Sequence, residues 1–145
     1  MSTATAKELS SPFLLANGGF VSQPWVGHCA RLTSRRLKMS VSVISAHGDI
    51  DASNADALTA YALGHVTASR ALILDLRGVE FFGAEGFSAL QQISTCCTHA
   101  DTGWAIVPGA AVSRMLRIGD PHAALLVADT VDAALAACSD HPHQP

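Results

Sequence analysis

Residues 71–90 read "ALILDLRGVEFFGAEGFSAL", and the fold turns on how they are taken. "ALILDL" is a continuous run of strand-formers, the kind buried on both faces of a largely parallel sheet. Behind it come two glycines around a short acidic break. Then Phe87, Leu90, Ile93 and Cys97 fall on one side of a helix. Such a junction places unpaired N–H groups and the positive end of a helix dipole at the surface. Yet Gly83, Ala84 and Glu85 include no nucleophile.

Working outward, "SVSVISAHG" (40–48) alternates in the period-2 manner of a half-exposed strand, and "ARLTSRRL" (30–37) is a weaker candidate. "ASNADALTAYALGHV" (52–66) predicts a helix, with Ser53 and Asp56 spaced as a capping box. "GWAIVPG" (103–109) is a third buried strand, stopped by Pro108-Gly109. "AAVSRMLRIGD" (110–120) is a short helix that Gly119 would cap. "AALLVADT" (123–130) predicts a last strand, and "TVDAALAAC" (130–138) a last helix opening at Thr130.

The order is that of an α/β domain: a mixed, mostly parallel sheet of about five strands with about four helices. Right-handed crossovers put "GDID" (48–51) and "FFGAEG" (81–86) side by side on one edge. Residues 1–28 read as a flexible extension that lays Phe20 or Trp25 on the domain. Residues 29–139 are the domain, and 140–145 a tail.

Bulk properties narrow the function. Of 145 residues, 49% are hydrophobic and 14% charged, which suits one folded domain. No apolar run approaches the roughly 18 residues that cross a bilayer, and a net charge of −3 offers no basic footprint for nucleic acid. Cys29, Cys96, Cys97 and Cys138 lack metal-ligand spacing, and no secretory signal is evident. A cytoplasmic protein with reduced thiols is expected. Cys97 and Cys138 read as small core residues, while the vicinal Cys96-Cys97 pair leaves a response to oxidants open.

Phosphate binding at the junction is poorly supported. "GAEG" is too short for a P-loop, and Glu85 would repel the anion. Ser88 has no nucleophile elbow around it, and His47, His65 and His99 read as surface or helix-terminal residues. Asp49, Asp51, Asp75 and Glu85 could gather round a cation, but Asp51 and Asp75 read better as caps for backbone N–H groups. The edge has shape without a reactive group: neither an enzyme, a metal nor a cofactor is expected.

"ALILDLRGVEFFGAEGFSAL" resembles the signature of STAS domains, the anti-sigma-factor antagonist family. There an aliphatic strand leads through Asp-Leu-x-x-Val to an Asp-Ser-Ser/Thr-Gly turn. "HGDIDASNADAL" (47–58) is similar to that family's earlier turn and helix, and the likeness spans approximately Leu32 to Cys138. The resemblance implies docking on an anti-sigma factor of the serine-kinase type, which phosphorylates the turn's first hydroxyl to end the complex. Homodimers remain an option. On this chain Gly83 replaces the Asp, Ala84 the phosphoacceptor and Glu85 the next hydroxyl residue, while Asp51, Gly86 and Phe87 keep the pattern.

Ala84 therefore offers no acceptor for a phosphate carrying about two negative charges. Either the surface stays open to its partner, or Glu85 imitates the phosphorylated state. The first reading is taken, because a step of about 100° aims Glu85 away from the acceptor position. Ser88, one turn on, is an alternative acceptor. The expected function is a protein-binding regulatory module with Asp51, Gly83, Ala84, Glu85, Gly86, Phe87 and Ser88 at its surface. The alternative is a small-molecule or nucleotide sensor using the same edge near Arg77.

Overall fold

The computed structural model describes residues 13–14, 20–21, 23–37, 40–120 and 125–140. Two residue pairs, β1 (Phe13–Leu14) and β2 (Phe20–Val21), form a small antiparallel ladder. The main sheet runs in the order β3 (Trp25–Val26), β4 (Ala30–Leu37), β5 (Val41–Ile50), β6 (Ala71–Phe82) and β7 (Gly103–Val107). β3–β4 and β4–β5 are antiparallel hairpin partners. β5–β6 and β6–β7 are parallel and joined by crossover helices.

The helices are α1 (Ala55–Val66), α2 (Ala84–His99), α3 (Gly109–Gly119) and α4 (Val131–Asp140). Strand alternation divides the core in two. Leu32, Ile44, Leu72, Leu74 and Ile106 face α1, α2 and α3, packing on Leu58, Leu90, Ile93 and Val112. Val43, Ile73, Ala105 and Val107 face α4 through Ala134. The expected α/β domain with a mixed sheet of five strands and four helices is what forms.

Local differences from the sequence reading have physical causes. β6 does not stop at Leu76 but continues to Phe82, because β5 runs on beside it through register shifts at Ser45/His47 and Gly48/Asp49. Asp75 consequently sits mid-strand, opposite Ser45 and Val107, rather than at a helix start. The last predicted strand reduces to one parallel bridge, Ile106 with Val127. Residues 123–124 of that stretch lie outside the described residues, as do the Ser/Thr-rich start, the side chain of Phe20 and the tail residues 141–145. Trp25 is half-buried and packs against the core from the sheet's outermost strand. Thr130 does open the last helix, its Oγ1 accepting the Ala133 N–H at 3.0 Å.

Candidate functional site

The two sequence stretches meet at one sheet edge. Asp49 and Ile50 lie opposite Phe81 and Phe82, and the Gly83 N–H donates to the Ile50 carbonyl at 3.0 Å. The "GDID" turn then holds itself together. Asp51 Oδ1 accepts from the Ser53 N–H at 2.9 Å and the Ser53 hydroxyl at 2.6 Å. The Ser53 hydroxyl bond, chiefly, keeps the Asp51 carboxyl below its ordinary range.

The expected Ser53–Asp56 capping box is absent, since Ser53 is spent on Asp51 and the helix N-cap is Asn54. Asn54 is a residue the sequence reading missed. Buried, it accepts from the Asp51 N–H at 2.9 Å and donates to the Asp49 carbonyl at 2.8 Å. It thereby braces both ends of the turn. The available signal was an asparagine directly before a helical run.

On the other side of the edge, Gly83 is the extended N-cap of α2, and its carbonyl accepts from Gly86 and Phe87. Its backbone does not demand glycine, at φ −86° and ψ −178°. A Cβ there would lie 3.1 Å from the Glu85 carboxylate, which curls back over the position. Ala84 and Glu85 are exposed, and Ser88 is exposed one turn further on. Gly86 is buried because the Phe82 ring occupies its face: a Cβ would come within 2.6 Å of that ring.

Phe87 is half-buried and lies against Gly119 of α3. The sequence reading missed two exposed apolar side chains, Phe81 at 54% exposure beside Gly83, and Ile118 at 77% in the last turn of α3. Consecutive aromatics in a strand cannot both face inward, which was the overlooked sign for Phe81. The histidines stand elsewhere. His65, read as surface or helix-terminal, is buried near the end of α1 with Nδ1 3.0 Å from the Tyr61 carbonyl. Burial lowers its affinity for a proton.

Asp75 accepts from the Arg77 side chain, with Nε and Nη2 at 2.9 and 2.8 Å, and from the Arg77 backbone N–H at 3.2 Å. That arginine, chiefly through its hydrogen bonds, holds the Asp75 carboxyl below its usual range. Arg77 is thereby engaged rather than poised for a phosphate. Among the described residues no three His, Cys, Asp or Glu groups are placed to hold a metal ion, and no helix is long and apolar enough to cross a membrane. Cys97 is fully buried, its thiol pushed up to about 12, chiefly by burial. Cys138 is half-buried.

This arrangement is that of a known family. The STAS domain model matches residues 35–134, and the chain belongs to that family. An anti-sigma factor antagonist from Mycobacterium paratuberculosis is 32% identical, with a TM-score of 0.68 over 77% of this chain and 95% of that one. SpoIIAA, an anti-sigma factor antagonist solved in its unphosphorylated form, superposes with a TM-score of 0.63 at 12% identity, covering 75% and 96% of the two chains. RsbS of Moorella thermoacetica gives 0.64 at 15% identity, over 75% and 95%. No curated protein matched.

Proposed function

We propose that this chain is a regulatory protein-binding module of the anti-sigma-factor antagonist type, without enzymatic activity, in the cytoplasm of a bacterium. It would act on transcription by docking an anti-sigma factor of the serine-kinase type. The contact surface is the edge where Asp51, Ala84, Glu85, Phe87 and Ser88 reach solvent, with the buried Gly83 and Gly86 shaping the turn behind them, and no covalent off-signal operates at residue 84. One observation carries the reading: the exposed position at the head of α2 in this STAS fold is an alanine. An alanine presents a methyl group, so a phosphoester has nowhere to form. Phe81, exposed beside Gly83, and the half-buried Phe87 supply apolar contacts of the sort that anchor a protein partner.

The test is direct. The chain is incubated with the serine-kinase anti-sigma factor of its own organism and ATP, then captured and mapped by mass spectrometry. Capture without phosphate on residues 83–88 is expected. Phosphate on Ser88 would overturn the unmodified surface. Capture unchanged in both Phe87→Asp and Glu85→Ser would overturn the placement of the contact.

A further inference from the structure

Two hollows run in line between α1 and α2. One, of about 280 Å³, is bordered by Asp56, Thr59, Glu85, Ser88 and Gln92. The other, of about 580 Å³, is bordered by Leu63, Ser88, Gln91, Gln92, Thr95 and Cys96. Ser88 and Gln92 line both, so the hollows form one groove along the two helices. Neither Ser88, Gln91 nor Gln92 makes a side-chain hydrogen bond to another described residue.

The charges around this groove are of one sign. No Lys or Arg occurs between Lys38 and Arg70, nor between Arg77 and Arg114. The formal charges carried by α1 and α2 are those of Asp56 and Glu85, both exposed on the groove wall. The chain's arginines belong to β4, the start and bend of β6, and α3. A nucleic acid is repelled by such a wall. A cationic side chain meets two carboxylates and free amide and hydroxyl acceptors.

We infer that the α1–α2 groove receives a basic segment of the protein partner, with Asp56 and Glu85 as its electrostatic anchors and Ser88 and Gln92 as hydrogen-bonding floor. This rests on the protein-binding reading above and names the chemistry of the partner. Arg or Lys side chains at intervals of one helical turn would reach the two carboxylates and the amides in succession.

The probe is a short acetylated and amidated peptide alternating arginine with alanine, titrated into isotope-labelled full-length chain and followed by amide shifts. Saturable shifts confined to α1 and α2 are expected, weakening as ionic strength rises. Asp56→Asn with Glu85→Gln should reduce affinity roughly tenfold, the size of change that removing close charge pairs produces. Ser88→Trp, which fills the groove and alters no charge, should abolish the shifts. Shifts that fail to saturate, map outside α1 and α2, or survive Ser88→Trp overturn the groove. Kinase capture that persists with any of those results leaves the protein-binding reading standing, whereas peptide binding without kinase capture removes the kinase and leaves the groove.

Discussion

Single atoms decide the behaviour of this edge. Gly86 is the clearest case, since the Phe82 ring sits where its Cβ would be and is itself buried. Gly86→Ala should lower stability by about 1–3 kcal/mol, the range for overpacking a close-fitted site, despite alanine's better helix propensity. Urea unfolding measures it, and a neutral or stabilising result would show that the ring gives way. His65 supplies the pH dependence. Burial lowers its folded-state pKa from 6.5, so below pH 6.5 the unfolded chain takes up a proton that the folded chain refuses. Stability should therefore fall as pH drops from about 7 toward 5. His65→Gln should flatten that slope in the same urea titration. The sequence could not show this burial, because a histidine near a helix end reads alike whether it faces solvent or a sheet.

At the scale of elements, regular patterns were legible and interruptions were not. "ARLTSRRL" and "GWAIVPG" gave strands where they were read, and the faces of α2 followed their spacing. β6 was read short because "RGVEFF" breaks strict alternation. Its register shifts against β5 restore Val79 and Phe82 to the core side while leaving Glu80 and Phe81 outside. The turn was legible as a place, not as a mechanism: the Ser53–Asp56 spacing suggested a capping box, whereas Asn54 braces the turn through Asp49 and Asp51.

Gly109 marks the next constraint. It starts α3 at φ +73°, and a Cβ would stand 2.7 Å from the Arg77 backbone. Gly109→Ala should cost more than Gly86→Ala, on the order of 3 kcal/mol, since neither the left-handed backbone nor a neighbouring main chain yields cheaply. Thermal unfolding of the two variants side by side checks the ranking.

Among the described residues the sheet is covered unequally, by three helices on one side and by α4 alone on the other. Its outer strand on the β4 side is only Trp25–Val26, but Trp25 contributes to the larger core. Nearby, the Tyr61 hydroxyl donates to the Gln23 carbonyl at 3.0 Å, tying that segment to α1. Trp25→Ala should cost about 2 kcal/mol through lost apolar burial, measured by urea unfolding. An unchanged midpoint would show that the Trp25 ring adds nothing to the stability of the domain. Composition and element order made the α/β plan readable, whereas a two-residue strand leaves too little alternation to be read at all.

Ala84 has one more consequence, concerning time. A phosphoester is a written mark that outlasts the enzyme that made it and waits for a phosphatase to erase it. A methyl group at that spot keeps no such record. If the docking proposed above runs through this turn, association there would follow the momentary amounts of the two proteins, and a reset would proceed at the pace of synthesis, dilution and proteolysis.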